Sequence, residues 1–287
     1  VKLSDEGTYH ITVGCTDMGT GCDTIIAQFA ADVLETPIDN ISVYGVDTDI
    51  SPYDSGSYAS STTYLTGMAA VKACEQLRER IIALAAVRMN KDASTLTFDG
   101  ENVIDESDGA KMSLFDIATA SMCNNEISLE VTYSHSSPVS PPPFMAACAE
   151  IEADPETGAI ELLDYTACVD CGTVVNTNLA RVQTEGGLLQ GIGMTLYEDI
   201  WYDERGKNLS NSFMQYKVPS RLDTDRIRVE FDSSYEPTGP FGAKSIGEIV
   251  INTPAPAIAD AVYNATGVWI NELPITPEKI LKGMKVI

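Results

Sequence analysis

Hydrophobic residues along the chain show strand-like and helix-like spacing in an order that occurs twice. In the first pass, residues 9–14 alternate as a strand after a hairpin turn at Gly7, residues 23–34 carry apolar side chains at helical spacing, and residues 41–46 form a short apolar strand. Alternation predicts a half-buried strand, and a three-to-four spacing predicts an amphipathic helix. An alanine-rich stretch over residues 61–89 completes the pass as a long helix, begun by hydroxyl residues that can cap it.

The second pass begins near Phe144 and repeats this order, with Gly267 at the expected end of its last helix. Its two strands, helix, strand and helix are predicted over residues 145–151, 160–169, 178–197, 226–231 and 254–265. A short capped helix is expected in the tail after Pro274. Both passes therefore read β-β-α-β-α, and we predict an α+β fold of two similar lobes, each a mixed sheet packed against helices.

A linker separates the two passes. The polar region that follows residue 89 carries no predicted element, and residues 136–143 form a Ser- and Pro-rich stretch typical of an extended linker. The sequence thus predicts a first lobe over residues 1–135 and a second over residues 144–287. The N-terminal residues read like the middle of a strand and not like a signal peptide, so we expect a piece of a longer protein.

The charge of the chain is strongly negative. It carries 42 acids and 18 bases, a net charge of −24. Such a surface repels nucleic acid and anionic membranes, and no apolar run is long enough to predict a membrane span. Because the acids are scattered, the balance favours a solubility adaptation, although a basic partner subunit remains an alternative.

Cysteine usage indicates reduced thiols in the cytoplasm. The seven cysteines are odd in number and irregular in spacing: Cys15, Cys22, Cys74, Cys123, Cys148, Cys168 and Cys171. The lone CxxC at Cys168 lacks two further ligands for zinc, and a structural pair on a buried strand is favoured over a redox dithiol. A serine hydrolase is disfavoured because no Gly-x-Ser-x-Gly elbow is present.

Three loops could receive a phosphorylated cofactor. The first, Met18-Gly-Thr-Gly21, joins a strand to a helix, and its amides and the helix N-terminus would attract an anion. The second, over residues 54–63, brings hydroxyls to the start of the long helix, where capping and phosphate binding fit equally well. The third lies within a helical pattern and holds four glycines, which indicate close approach of a neighbouring helix or a ligand: Gly186, Gly187, Gly191 and Gly193.

The most informative stretch is Gly239-Pro-Phe-Gly-Ala-Lys-Ser-Ile-Gly-Glu248, a glycine-rich loop that presents one carboxylate ahead of an apolar helical run. A lone acid held on such a loop could serve as a general base. Burial would raise the pKa of Glu248, and the positive charge of Lys244 would lower it. From composition alone, an ordinary loop with a solvated Glu is the alternative.

The string resembles the active-site loop of the molybdenum hydroxylases, the xanthine dehydrogenase and aldehyde oxidoreductase family. Further blocks resemble the family in the same order and with similar spacing: residues 13–24, 47–52, 56–67, 176–193, 212–219 and 272–277. Many relatives carry Gln where this chain has Thr20. The family's large chains are far longer, so the chain resembles the C-terminal, medium molybdopterin subunit of a split enzyme such as nicotinate dehydrogenase.

The resemblance implies a molybdopterin cytosine dinucleotide cofactor whose molybdenum is held by the pterin dithiolene and carries a terminal sulfido or selenido ligand, with no metal ligand from the protein. It implies that Glu248 is the catalytic base. The implied cofactor contacts are Gly19, Thr20, Gly21, Ala59, Ser60, Ser61, Thr63, Gln183 and Gly247.

The implied activity is that of an oxidoreductase subunit which adds water-derived oxygen to an electron-poor carbon of an N-heterocycle, nicotinate-like or purine. An aldehyde-oxidising member of the family and a non-catalytic, partner-binding subunit are the alternatives. The resemblance also implies a heteromeric complex with a larger molybdopterin subunit, an iron–sulfur subunit and an FAD subunit.

Overall fold

The computed structural model describes residues 1–122, 127–223 and 226–287, and nothing is described of the Arg221 side chain. The chain divides into two compact units. The first unit contains Val1–Pro141 together with Glu236–Lys244, and the second contains Pro142–Tyr235 together with Ser245–Ile287. The predicted boundaries assign residues 236–244 to the second lobe, whereas their contacts join them to the first unit.

The first unit opens with the predicted β-β-α-β-α order. Its elements are β1 (Lys2–Leu3), β2 (Tyr9–Thr12), α1 (Cys22–Leu34), β3 (Ile41–Tyr44) and α2 (Gly67–Met89). The sheet order is β1-β2-β3, with β1 antiparallel and β3 parallel to β2. The parallel pairing requires a crossover, which α1 supplies. One face of α1 is buried through Ile26, Phe29 and Leu34, as its spacing predicts.

The region after α2 corrects the sequence analysis, which predicts no element there. It contains β4 (Leu96–Phe98), β5 (Asn102–Asp105), β6 (Lys111–Ser113) and α3 (Leu114–Met122). The three strands form an antiparallel sheet in sequential order. Each strand has only three or four residues, too few for alternation to stand out among polar neighbours.

The second unit repeats the order and the topology. Its elements are β7 (Phe144–Ala153), β8 (Ile160–Asp170), α4 (Thr177–Leu196), β9 (Ile227–Asp232), α5 (Pro254–Thr266) and α6 (Pro277–Gly283). The sheet order is β7-β8-β9, again antiparallel and then parallel. Tyr165, Leu188, Val229 and Ile258 are central to its core. The prediction of two similar α+β halves with mixed sheets packed against helices is confirmed.

Cysteine placement departs from one prediction. The six described cysteines are free thiols, and Cys123 lies outside the described residues. Cys171 is buried, but Cys168 on β8 is exposed, so the CxxC pair does not lie wholly inside the fold. The outward position of Cys168 follows from strand alternation, because its neighbours Ala167 and Val169 point into the core. Within the described residues, no helix combines the length and the apolar character that a membrane crossing needs.

Candidate cofactor-binding and catalytic site

The first candidate loop is braced by its own carboxylate. Asp17 Oδ1 accepts hydrogen bonds from the backbone N–H groups of Gly19 (2.9 Å) and Gly21 (3.1 Å), and both glycines adopt positive φ. Partial burial raises the pKa of Asp17, but the N–H donors of Gly21 and Gly19 outweigh it and leave that pKa lowered. These two amides, which the sequence analysis offers to an anion, are therefore already engaged. The exposed Thr20 and the open side of Gly19 remain accessible to a ligand.

Below this loop lies a group with the chemistry of metal ligands. Ligand atoms of Asp17, Cys22 and Asp23 lie within 4.8 Å of one another, and Cys22 Sγ is 4.0 Å from Cys15 Sγ. Burial, followed by the nearby charge of Asp17, raises the pKa of Asp23. Because Asp17 Oδ1 already accepts two N–H bonds, we interpret the group as a brace for the loop.

The second candidate loop holds two consecutive non-glycine residues in the left-handed region, Ala59 (φ 52°) and Ser60 (φ 55°). This conformation costs about 1–2 kcal/mol per residue and persists where the surroundings enforce it, often at functional sites. A π-helical turn, Thr62–Thr66, follows and leads into α2. Its N-cap residue, Ser61, makes no side-chain cap, so the first amides of the turn receive no acceptor from that side chain. Ser61 and Thr63 stand at the same helix end.

A cavity of about 650 Å³ adjoins the second loop within the first unit. Asp54, Ser61 and Thr66 line it on one side, and His135 lines it on another. His135 Nε2 is buried without a hydrogen-bond partner among the described residues. Burial, and then the charge of Lys72, lowers the pKa of His135, which favours the neutral imidazole. No motif surrounds His135, so its position beside the cavity could not be predicted from the sequence.

The third candidate segment is α4, and its glycines admit a neighbouring segment of chain. A Cβ on Gly187 would overlap the Val250 side chain, and one on Gly191 would lie 2.5 Å from Pro254 Cγ. Gln183 precedes Gly187 by one helical turn and shares its face. Gly186 meets nothing within 4 Å. The alternative of a neighbouring element is therefore the one observed at Gly187 and Gly191.

Glu248 is exposed at the start of a 3-10 turn, Ile249–Ile251, that is anchored against α4. Val250 in this turn is fully buried, and the turn is closed by the Ile251 N–H donating to the Glu248 carbonyl at 3.3 Å. Thr253, three residues further on, accepts a hydrogen bond from the Tyr165 hydroxyl at 2.9 Å. An exposed carboxylate on such an anchored backbone has the presentation that a general base needs.

The preceding half of the same loop belongs to the first unit. Phe241, in the left-handed region, stacks on Phe29 with ring centroids 5.7 Å apart, and the Thr238 hydroxyl lies 2.7 Å from the Tyr64 hydroxyl. Lys244 is buried. The Thr238 hydroxyl first, and the Lys244 charge last, lower the pKa of Glu236. The charge of Lys244 thus contributes to the lowered pKa of a carboxylate in its own unit.

The chain thus repeats one mixed-sheet topology in two units, with left-handed loop residues before a helix in the first unit and an anchored turn that carries Glu248 in the second. The family model for the molybdopterin cofactor-binding domain matches residues 1–225. The chain therefore belongs to this family, within the molybdenum hydroxylases, and the resemblance drawn from the sequence is confirmed.

Known relatives agree with this assignment. The chain is 38% identical over its whole length to a probable hypoxanthine oxidase of Escherichia coli K12, of which it covers 30%. It is 32% identical over 98% of its length to subunit gamma of the 6-hydroxypseudooxynicotine dehydrogenase complex of Paenarthrobacter nicotinovorans, of which it covers 36%. The quinoline 2-oxidoreductase structure from Pseudomonas putida 86 superposes with a TM-score of 0.87 at 27% identity, over 99% of this chain and 38% of that one. The chain thus spans about a third of the length of these relatives.

Proposed function

We propose that the chain is the molybdopterin-binding, catalytic part of a hydroxylase or dehydrogenase, with Glu248 as its general base. The observation that carries the proposal is the exposed Glu248, whose backbone turn is anchored because Val250 packs over Gly187 on the helix that also presents Gln183. The turn gives the carboxylate a defined position, which general-base catalysis requires before any tuning of pKa.

Features of the loops fit the cofactor, which we propose to be the cytosine dinucleotide form. The uncapped helix end after Ser61 suits a phosphate, and the strained backbone at Ala59 and Ser60 suits a tightly held ligand. Thr63 would add a hydroxyl and Gln183 an amide, while Gly19, Thr20, Gly21 and Gly247 would allow close backbone approach. When bound, the cofactor supplies a molybdenum centre, with a sulfido or selenido ligand, that takes up two electrons.

The role of the chain in the reaction is to move one proton. A Glu248 carboxylate oxygen accepts the proton of the water-derived oxygen nucleophile as that oxygen adds to the electron-poor carbon of the substrate. The Gln183 amide orients the bound group, and the fixed turn before α5 keeps the carboxylate from swinging away. General-base catalysis of this kind typically contributes about 10²–10⁴-fold.

We propose an N-heterocycle, nicotinate-like or purine, as the substrate class. The proposal is supported by the names of the relatives, which refer to hypoxanthine, quinoline and a substituted nicotine derivative. An aldehyde remains the second candidate, because a relative named as an aldehyde oxidoreductase molybdenum-binding subunit is 31% identical to the chain.

We further propose that the chain works in the cytoplasm with a larger molybdopterin-binding part, an iron–sulfur subunit and an FAD subunit. The short coverage of the relatives supports a larger whole, and several relatives are named as subunits. The free thiols of the six described cysteines suit a reducing compartment.

The experiment compares Glu248→Gln with Glu156→Gln in the native assembly. Glu156 is an exposed glutamate in the β7–β8 turn and serves as the matched control. Metal and pterin content are measured first, and then turnover with purines, pyridines and aldehydes. We expect both variants to keep the cofactor and Glu248→Gln alone to lose about 10²–10⁴-fold in turnover. Retained turnover in a metal-replete Glu248→Gln protein contradicts the assignment, and a wild-type assembly with cofactor but no turnover supports the non-catalytic alternative.

A further inference from the structure

An ordered arm leaves the second unit between α4 and β9. The arm spans residues 199–222 and starts with a short hairpin in which Tyr202 is bridged to Asn208. Two backbone bonds hold the hairpin: the Leu209 N–H donates to the Trp201 carbonyl (2.8 Å), and the Asp203 N–H donates to the Lys207 carbonyl (3.0 Å). After the hairpin, the Tyr216 N–H donates to the Ser212 carbonyl at 2.8 Å. The 199–222 arm is therefore organised by its own backbone hydrogen bonds.

The large apolar side chains of this arm point to solvent. Phe213 and Met214 are each 80% exposed, Leu222 is 92% exposed, and Trp201 and Tyr202 are each 63% exposed. Single exposed apolar residues are ordinary, but such a concentration within one arm marks an interaction site. Aromatic residues and methionine are also the types enriched where proteins meet.

The charge of the arm differs from that of the rest of the chain. Residues 199–222 hold three acids and four bases, whereas the remaining residues hold 39 acids and 14 bases. Elsewhere the acidic surface repels other acidic proteins. The arm therefore combines exposed aromatic side chains, which interfaces favour, with a nearly neutral net charge that does not repel an acidic partner.

We propose that the 199–222 arm is the docking surface for the remaining molybdopterin-binding part of the protein, whether that part is a separate subunit or lies on the same polypeptide. The occupant follows from length: the chain covers 30% and 36% of relatives that it matches over nearly its whole length, so a body about twice its size accompanies this domain in those proteins. This inference rests on the proposed function for the identity of the occupant, and on exposure and charge for the surface itself.

Methionine oxidation tests the surface without any measurement of activity. Met214 in the arm is compared with Met122, which is 68% exposed at the end of α3 in the first unit. Both side chains are expected to oxidise with dilute peroxide at similar rates in the isolated chain. In the native assembly, we expect Met214 to be protected from oxidation because the docked part covers it, whereas Met122 should oxidise as fast as in the isolated chain. Equal oxidation of the two methionines in the assembly overturns the proposal.

A pair of variants tests the identity of the occupant. Phe213→Asp places a charge in the arm, and Phe115→Asp places one at a 60% exposed position on α3. If the larger molybdopterin-binding part is a separate subunit, we expect Phe213→Asp to abolish its co-purification. If that part lies on the same polypeptide, we expect Phe213→Asp to make Met214 reactive again. In both cases the isolated variant chain should keep its melting temperature. Phe115→Asp should leave the assembly intact.

Two further outcomes separate the possible failures. Self-association of the isolated chain that protects Met214 and is lost in Phe213→Asp would assign the arm to a second copy and overturn the proposal. Protection of Met214 by a bound body in an assembly that contains no molybdenum would refute the proposed function and leave the docking surface standing.

Discussion

The two β-β-α-β-α passes share one topology but begin their helices differently. In the first pass, α1 and the turn before α2 start without a side-chain cap, and left-handed residues lie just before the α2 helix. In the second pass, the Asn176 side chain caps α4 through the Leu179 N–H at 3.1 Å, and α5 starts with Pro254, which has no N–H to satisfy. The halves therefore differ at α4, which a side chain caps, whereas α1, the turn before α2 and α5 have no side-chain cap. The first half places left-handed residues before its long helix, and the second anchors the Glu248 turn against α4.

The largest effect is expected where the second half fixes Glu248. Gly187→Ala would force its new methyl group into Val250 and displace the turn that carries the carboxylate. We expect a loss of about 1–3 kcal/mol in the free energy of unfolding and a fall in turnover of up to about 10²-fold. Chemical denaturation and steady-state kinetics measure the two effects.

The neighbouring Gly186→Ala is the matched control, because a Cβ there meets nothing within 4 Å. It should stabilise α4 by about 0.5–1 kcal/mol, the usual gain of Ala over Gly in a helix. Equal behaviour of the two variants would show that close packing does not position the Glu248 turn.

A smaller effect on the free energy of unfolding is expected from removal of the Asn176 cap of α4. Asn176→Ala removes the acceptor for the Leu179 N–H and should lower the free energy of unfolding by about 1 kcal/mol. Asn178→Ala, two residues further along the same helix, should be neutral or slightly stabilising because alanine has the higher helix propensity. If both substitutions have the same effect, capping does not separate α4 from the helices of the first half.

The smallest change in stability is expected at the strained loop of the first half. Ala59→Gly relieves a left-handed φ but frees the unfolded chain, so the free energy of unfolding should change by less than about 1 kcal/mol. If strain shapes the loop for the cofactor, pterin retention after dialysis should fall nonetheless.

Ala83→Gly in the middle of α2 is the control, and we expect the opposite pattern from it. The free energy of unfolding should fall by about 1 kcal/mol, while cofactor retention should not change. Full cofactor retention in Ala59→Gly would mean that the left-handed pair has no part in binding.

Local periodicity was sufficient to predict most of the fold. The strands and helices of both passes lie within a few residues of their predicted bounds, because each buries one continuous face. The β4–β6 sheet and α3 were missed because their short strands carry little periodic signal. The glycines of α4 indicated close approach, but the sequence could not say that Val250 and Pro254 would fill the space.

Prediction of the site was limited by long-range contacts. The string ending at Glu248 marked the candidate base, yet its division between two units depends on contacts such as Phe241 with Phe29, which are distant in sequence. Likewise, the sequence suggests that the Gly19 and Gly21 amides attract an anionic ligand, but in the structure both amides donate to the Asp17 carboxylate. The roles of the other candidate residues stay predictions until the variants are measured.

The assignment of residues 236–244 to the first unit means that the polypeptide passes from one unit to the other three times, after Pro141, Tyr235 and Lys244. A gene split at the proline-rich linker would therefore place residues 236–244, which pack in the first unit, on the product that carries the second unit. Fission at that point cannot yield two self-sufficient pieces. We therefore expect the two halves to fold only as one continuous polypeptide, because the first unit is complete only when residues 236–244 are present.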